Sequence, residues 1–211
     1  MENLKDKWKV DKNIIEELRK KFVLLKKDVQ EIEVISCKIR IQRRVFQDVF
    51  RVWKKDDKDI FKDLCFKFIE FCIKKQILLH TLNIFGLVDD QLDRGFFDRE
   101  NLNEAIDWGV IWTPLIDLKN IDFFPLTFFH ELGHCWISIT PPKNEKEWEV
   151  FEVFNDLPAI CIYSQMFPPH TRTFRDAVKF RTYAGNSSRK KEVMENPEKL
   201  LDELLKDAYG N

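Results

Sequence analysis

Apolar positions in the first half of the chain recur at helical spacing. Between Asp11 and about Gln30 they fall three and four residues apart, with lysine and glutamate between them. A second run of this kind extends from about Lys58 to Leu82 and is broken at Gly86. Apolar spacing of this period indicates amphipathic helices. The pattern therefore predicts a mainly helical region over residues 1–86, within which residues 33–41 fit a short strand or further helix equally well.

The second half of the chain begins with a predicted strand. Residues 108–116 combine β-branched and aromatic side chains with few charges, which favours a strand. Proline cannot donate to a strand ladder and is therefore usual at sheet edges. Pro114 accordingly predicts that this strand lies at an edge, where residues 109–113 would pair with an extended peptide.

Helix signals dominate the rest of the chain. Pro125 fits the first turn of a helix that stops before the pair of prolines at 141–142. Asn144, with Glu147 three residues on, forms a capping signal for the next helix. Further helices are predicted over 173–184 and after Asn196, which precedes a proline. The combination of a small sheet with these helices predicts an α+β fold.

Composition supports a folded domain and argues against some partners. The 211 residues are 44% hydrophobic and 13% aromatic, which is enough apolar mass for a core. The formal net charge is −1, whereas a protein that binds polyanions usually shows a clear positive excess. We therefore expect no nucleic-acid partner and interpret the basic cluster at 38–44 as a solvated face.

The sequence also bears on location. Residues 1–7 lack the apolar core of a signal peptide, and no apolar run approaches the roughly 18–20 residues that span a bilayer. The five cysteines are an odd number without a Cys-x-x-Cys pair, which predicts free and mostly buried thiols. We expect a cytoplasmic protein without a membrane partner.

The motif His130-Glu131-Leu132-Gly133-His134 carries the chemistry. Two histidines four residues apart project from one face of a helix and match two corners of a zinc tetrahedron. Glu131 points about 100° away from His130, where it can take a proton from a zinc-bound water. The motif predicts a Zn²⁺ site in which Glu131 is the general base.

The third ligand must come from elsewhere. A metzincin would need glycine at 137 and histidine at 140, but the chain has Ile137 and Thr140. The next histidine after His134 is His170, so we expect a carboxylate from the following helix. All candidates but one fall in a single acidic stripe about 60° wide. The candidates are Glu145, Glu147, Glu149, Glu152 and Asp156.

The motif helix together with Glu152-Val153-Phe154-Asn155-Asp156 resembles the gluzincin pattern, a histidine-pair helix followed by Glu-x-x-x-Asp. Thermolysin is the familiar member, and the minigluzincins and ImmA/IrrE-like peptidases are compact ones. The resemblance covers about residues 108–165. It implies that Glu152 is the third zinc ligand and that Asp156 orients a ligating histidine.

A choice between Glu152 and Glu149 also follows from their neighbours one turn on. Asp156 can accept the free N–H of a ligating imidazole, whereas Val153, one turn after Glu149, cannot. This difference favours Glu152. Pro158, only two residues beyond Asp156, predicts that the helix ends or kinks there.

A carbonyl hydrolase also needs a donor for the oxyanion. Four side chains are candidates for this donor, and His170 is preferred because a histidine near zinc can donate a proton or a hydrogen bond. The others are Tyr163, Arg172 and Tyr183. His80 lies in an apolar run and is expected to be a core residue.

These expectations combine into one hypothesis. The chain is divided into a helical N-terminal region (1–86), a zincin-like metallopeptidase core with a small sheet and edge strand over the motif helix (87–170), and a C-terminal helical segment (171–211). The predicted function is zinc-dependent hydrolysis of a peptide or protein substrate. Two alternatives stay open: a latent or regulatory metalloprotein with a blocked cleft, and a structural zinc protein that acts through its N-terminal helices. The N-terminal region is expected to control access or recruit a protein regulator and to supply no catalytic group.

Overall fold

The computed structural model describes residues 10–35, 37–45, 57–80, 82–98, 108–119, 122–138 and 142–209. Within these residues the chain forms nine α-helices and five β-strands, which confirms the predicted α+β class. The strands are β1 (Val29–Val34), β2 (Cys37–Gln42), β3 (Asn83–Asp89), β4 (Phe96–Asp98) and β5 (Trp108–Pro114). The helices are α1 (Lys12–Leu25), α2 (Arg43–Val45), α3 (Asp57–Lys74), α4 (Leu115–Lys119), α5 (Phe124–Trp136), α6 (Glu145–Met166), α7 (Arg172–Arg181), α8 (Lys190–Glu195) and α9 (Pro197–Tyr209). The N-terminal residues 1–7 used above lie outside the described residues.

The chain divides into two compact units, and each is built from separate stretches of sequence. The sheet unit comprises Met1–Cys65 and Thr81–Phe124, and the helical unit comprises Phe66–His80 and Pro125–Asn211. The division falls within α3 and at the start of α5.

The sheet unit contains a five-stranded mixed sheet in the order β1-β2-β3-β5-β4. β2, β3 and β5 are parallel to one another, and β1 and β4 flank them in antiparallel orientation. Parallel strands are usually covered on both faces and therefore read as continuous apolar runs. β3 and β5 follow this rule, since every residue after the first in each strand is buried.

The predicted strand at 108–116 is present as β5, but the expectation that it lies at an edge is wrong. It pairs with β3 along its whole length and with β4 at residues 110–112. Pro114 is tolerated because it is the last residue of β5, beyond the pairing with β4. The expected pairing of residues 109–113 with a peptide is wrong as well, because β3 and β4 already bond to both sides of the strand.

Helix α1 packs on one face of this sheet. Asp11 caps it by accepting a hydrogen bond from the Asn13 N–H at 2.7 Å. Leu18 and Phe22 are buried, and the Phe22 ring meets the edge of the Phe85 ring at 5.2 Å between centroids. Both helix residues belong to a buried cluster with side chains of β3, of the loop after β3 and of β5, namely Phe85, Leu87, Leu92, Val110 and Trp112. The apolar face of α1 that the helical spacing predicts therefore covers one face of the sheet.

Strands β1 and β2 pair as an antiparallel hairpin, so the ambiguous stretch is strand at residues 33–34 and 37–41. Val34 pairs with Cys37 across the turn, and Ile35 adopts a positive φ of 57°. Such a φ is unusual for a β-branched residue and is required by tight hairpin turns. The N-terminal region thus contributes two complete strands to the sheet in addition to its predicted helices.

Helix α3 ends earlier than the apolar spacing predicts, at Lys74 rather than near Leu82. Gln76 adopts a positive φ of 58°, and the Ile77 N–H bonds to the Cys72 carbonyl at 2.9 Å. The positive φ and this hydrogen bond end the helix in the way that a glycine after a helix usually does. The expected breaker, Gly86, lies instead inside β3, so a truncation there would cut the central strand of the sheet.

The helical unit contains the two helices that matter for the site. Asn144 caps α6 by accepting from the Glu147 N–H at 3.0 Å, which confirms the predicted start. Pro158 does not end this helix, which continues to Met166. His80 is exposed rather than in the core, and its backbone N–H donates to the Trp136 carbonyl at 2.6 Å.

All five cysteine side chains are buried and none forms a disulfide, as expected. Burial raises the pKa of the Cys37 thiol to about 11 and that of Cys72 to about 12. In the described part of the chain, no helix has both the length and the apolarity needed to cross a membrane.

Candidate metal centre

Helix α5 presents the motif residues because its other faces are buried. Phe128, Leu132 and Trp136 are fully enclosed, and the Phe68 ring of α3 stacks on Phe129 at 5.6 Å between centroids. Packing on several sides fixes the rotation of the helix about its axis. His130 and His134 are four residues apart and so share one face of this fixed helix, with ring centroids 4.9 Å apart.

A close crossing of α5 and α6 brings the second set of side chains to that face. A Cβ atom added at Gly133 would lie 2.6 Å from the Asn155 carbonyl oxygen. The two backbones can approach this closely only because residue 133 has no side chain. The glycine inside the motif thus sets how near Glu152 and Asp156 come to the histidines.

His130 is held on one side by Asp156, the residue that the resemblance assigns to orienting a histidine. The Asp156 Oδ1 atom contacts His130 Nδ1, and its Oδ2 atom accepts from the Ala184 N–H at 2.6 Å. Asp156 is completely buried, and both of its oxygens are therefore engaged. Because Nδ1 of His130 is directed at this carboxylate, Nε2 is the nitrogen that remains for a metal ion.

His134 faces Glu152. The distance from His134 Nε2 to Glu152 Oε2 is 3.1 Å. Ligand atoms of a tetrahedral zinc ion with bonds of about 2.0–2.1 Å lie about 3.3 Å apart, so the two atoms are already at the separation of neighbouring ligands. Burial opposes the charged form of Glu152, but attraction to the two histidines outweighs it and lowers the pKa of the carboxyl group.

Glu131 is buried beside the two histidines, and its Oε1 atom lies 3.3 Å from His130 Nε2. One ligand atom each from His130, Glu131 and His134 fit within 4.8 Å of one another, so this group could hold a metal ion. Glu152 lies outside that group of three and adjoins it through His134. Burial disfavours a charged His130, yet the carboxylates of Asp156 and Glu131 raise the pKa of its imidazole well above the ordinary value.

The other acidic residues of α6 are engaged elsewhere. Glu149 accepts from the Ser188 hydroxyl at 2.6 Å and from the Ser188 N–H at 3.1 Å. Glu147 serves the helix cap, where it accepts from the Lys143 N–H at 2.8 Å. The acidic stripe runs from the exposed Glu145 to the buried Asp156, and within it Glu152 lies against His134 and Asp156 against His130.

His170 lies in the turn after α6 and is exposed. Its backbone carbonyl accepts a hydrogen bond from the Arg175 side chain at 3.0 Å. The preference for His170 as oxyanion donor stays a prediction.

Tyr183 has the surroundings that the other considered donors lack. Its ring lies against Trp148 of α6 at 4.8 Å between centroids. Burial, and then the nearby carboxylates of the acidic stripe, raise the pKa of its hydroxyl to about 12. Arg172, in contrast, is 92% exposed, and Tyr163 packs between the rings of Phe167 and Phe174.

Sequence reasoning missed the role of the segment after α7. The Ala184 N–H, the Ser188 hydroxyl and the Tyr183 ring all contact α6. The sequence shows only a break at Gly185-Asn186-Ser187-Ser188. A backbone N–H has no residue signature, so no pattern could have revealed the bond to Asp156.

Comparisons with family models, with curated proteins and with solved structures gave no match. The chemistry of the site is therefore argued from its geometry.

Proposed function

We propose that this protein is a zinc-dependent peptidase of the gluzincin type, in which His130, His134 and Glu152 bind the ion. The observation that carries the proposal is the crossing of α5 and α6. It places Glu152 Oε2 3.1 Å from His134 Nε2, while Asp156 occupies the far nitrogen of His130. An acid that orients a ligating imidazole is a recurrent feature of metal sites.

The set of donors suits zinc. Two imidazoles and one carboxylate are the protein ligands of a family of catalytic zinc sites, and they leave a fourth position for water or substrate. Calcium and magnesium prefer sites made of oxygen atoms only, which the two histidines do not provide. The buried Glu131 lies next to this set, where a purely structural site has no use for a base.

The proposed mechanism assigns a role to each residue. Zinc, when bound, supplies a positive charge that polarises the scissile carbonyl and acidifies a water molecule. Glu131 accepts the proton of the attacking water and passes it to the leaving amine. Asp156 keeps the His130 imidazole in one tautomer and one orientation while this happens.

Tyr183 takes the role of oxyanion donor in this proposal, in place of His170. A hydroxyl whose pKa is about 12 stays protonated at neutral pH and can donate a hydrogen bond to a developing negative charge. The ring is held by Trp148, which limits the directions in which the hydroxyl can point.

The substrate is proposed to be a peptide or a protein, and the reducing cytoplasm is the proposed setting, in keeping with five cysteines that form no disulfide. The N-terminal region remains a proposed site for a protein regulator.

The decisive experiment combines metal analysis with one substitution in the full-length protein. We expect about one Zn²⁺ per chain, and we expect Glu131→Gln to retain the metal while losing hydrolysis of a peptide panel. The loss should reach at least the roughly 10²- to 10⁴-fold that general-base catalysis contributes. Glu147→Gln, which alters an exposed glutamate at the cap of α6, is the matched control and should leave both quantities unchanged.

Two outcomes would contradict the proposal. A protein that takes up no zinc on titration would remove the metal site altogether. Zinc binding without hydrolysis of any substrate, in intact protein, would favour the latent or structural alternative over a peptidase.

A further inference from the structure

The segment from Thr182 to Ser188, here called the 182–188 segment, lies along α6. It contacts three places on that helix: the Asp156 carboxylate through the Ala184 N–H, the Trp148 ring through Tyr183, and Glu149 through Ser188. The residues in contact span two turns of α6, from 148 to 156, with Glu152 between them. The segment supplies none of the candidate metal ligands, yet it contacts the helix that carries Glu152 at three places.

The backbone of this segment is fixed by its own hydrogen bonds. The Thr182 hydroxyl donates to the Val178 carbonyl at 2.7 Å and accepts from the Gly185 N–H at 3.1 Å. The Ser187 hydroxyl donates to the Ala184 carbonyl at 2.9 Å. These bonds and the burial of the residues that make them hold the Ala184 N–H in one direction.

Gly185 allows the segment to lie close to the end of α7. A Cβ atom added there would be 2.4 Å from the Val178 carbonyl oxygen and 2.7 Å from its carbon. Both atoms belong to the backbone and cannot rotate away. Any side chain at residue 185 therefore displaces the segment, including the neighbouring Ala184 N–H.

Asp156 connects this segment to the candidate metal centre. A completely buried carboxylate needs hydrogen bonds to both of its oxygens, because an unsatisfied one would bear the full cost of desolvation. Oδ2 obtains its bond from the Ala184 N–H, which fixes the plane of the carboxylate and thereby the position of Oδ1 against His130 Nδ1. The tautomer of an imidazole is set by the bond that one of its nitrogens makes.

We propose that the 182–188 segment is a positioning element for His130, in which the Ala184 N–H holds Asp156 against Nδ1 so that the imidazole keeps one orientation and directs Nε2 to the metal. The consequence for zinc affinity rests on the proposed function. The relay from Ala184 through Asp156 to His130 consists of the chain alone and can be tested in metal-free protein.

The sharpest test replaces Ala184 with lactic acid by nonsense suppression in the full-length protein. The resulting ester keeps the methyl group and removes the N–H. Long-range ¹H–¹⁵N spectra of the metal-free protein report the Nδ1–H group of each of the four histidines, and His130→Ala assigns the signal of interest. We expect the Nδ1 and Hδ1 signals of His130 to shift, because the imidazole no longer meets a fixed carboxylate, and zinc affinity to fall about 10- to 100-fold.

Gly185→Ala provides a genetically encoded second variant, with the same expected direction for both measurements. Ser188→Ala is the matched control, because it removes a contact between the same segment and Glu149 without touching Asp156. It should leave the His130 signals and the zinc affinity as they are in the unaltered chain. Circular dichroism establishes that each variant is folded before its spectrum is compared.

Unchanged His130 signals in a folded ester variant or in folded Gly185→Ala would overturn the proposal, whatever the protein hydrolyses. Equal changes in Ser188→Ala would overturn it too, because they would show general loosening of the segment. If the unaltered chain binds zinc but cleaves nothing, the peptidase assignment fails while the imidazole signals still decide whether the relay exists.

Discussion

Buried carboxylates have different partners in the two units of this protein. In the sheet unit, Asp98 accepts two hydrogen bonds from Arg19, at 2.9 and 2.8 Å, and Asp89 accepts one from Lys21 at 2.8 Å. Both cations are carried by α1 and lie nearer to solvent than their partners. Such pairs tie a helix to a sheet and neutralise a buried charge.

In the helical unit, the buried Asp156 and the partly buried Glu152 face His130 and His134 instead. Arginine and lysine have only donors to offer, so an acid that meets them is satisfied and the interaction is complete. An imidazole has a second nitrogen that can act as a ligand while the first is held by the acid. The type of partner, more than burial of the acid, therefore distinguishes a structural pair from a candidate metal centre.

Removal of Glu152 should lower zinc affinity more than any other substitution described below. Glu152→Ala deletes a proposed ligand, and we expect zinc affinity to fall by more than the roughly 100-fold that loss of an outer hydrogen bond can cause. Glu149→Ala is the control on the same helix, since that residue bonds to Ser188, and it should bind zinc almost normally. Competition with a chromophoric chelator measures both. The reverse order of the two variants would show that the wrong glutamate had been assigned.

Loss of the orienting acid should have the next largest effect. Asp156→Ala is expected to weaken zinc binding about 10- to 100-fold because His130 is no longer held in one tautomer. Asp98→Ala removes a similarly buried acid from the sheet unit and should lower only the free energy of unfolding. Chelator competition and urea denaturation on both variants make the comparison. Equal zinc affinities for the two would contradict the assigned role of Asp156.

Two glycine substitutions, one in each unit, test the comparison by introducing a close contact. Gly133→Ala would push α6 away from α5 at Asn155 and separate Glu152 from the histidines, so zinc affinity should fall on the order of tenfold. Gly109→Ala creates an equally close contact in the sheet unit, with the Phe97 ring at 2.4 Å. It should lower stability and leave zinc affinity intact. A normal zinc affinity in folded Gly133→Ala would show that the crossing does not set the ligand geometry.

The smallest effect is expected at an ion pair inside the helical unit itself. Lys75 donates to Asp202 at 2.6 Å and lies 2.8 Å from Glu198. Lys75→Met should cost about 1–2 kcal/mol of unfolding free energy, since these acids are half exposed, and should not change zinc affinity. Lys74→Met, which replaces an exposed lysine, is the control, and its unfolding free energy should change by no more than about 0.5 kcal/mol. Reduced zinc binding in Lys75→Met would mean that ion pairs also support the site.

Much of the candidate site could be predicted from the sequence because its geometry is local. Residues four apart in a helix share a face, so the neighbourhood of His130 and His134 follows from their numbers alone. The same rule places Glu152 and Asp156 together on α6, whose capped start at Asn144 was also readable. Metal binding and hydrolysis remain predictions, since they depend on groups that the chain does not contain.

Other features were beyond the reach of local patterns. The apolar run after Asp57 gave no sign that Gln76 would turn to a positive φ and end α3. Pro114 indicated an edge, but its strand lies between β3 and β4. Each outcome depended on what a neighbouring segment offered in space.

The sequence by itself determined the helical periods, the strand at 108–114 and the residue types of the candidate metal centre, because short-range geometry governs all three. Only the tertiary structure decided the strand order, the crossing at Gly133 and the bond from the Ala184 N–H to Asp156. Those features join segments that are distant in the chain. They also rely on backbone atoms, which every residue carries and which therefore leave no pattern in the sequence.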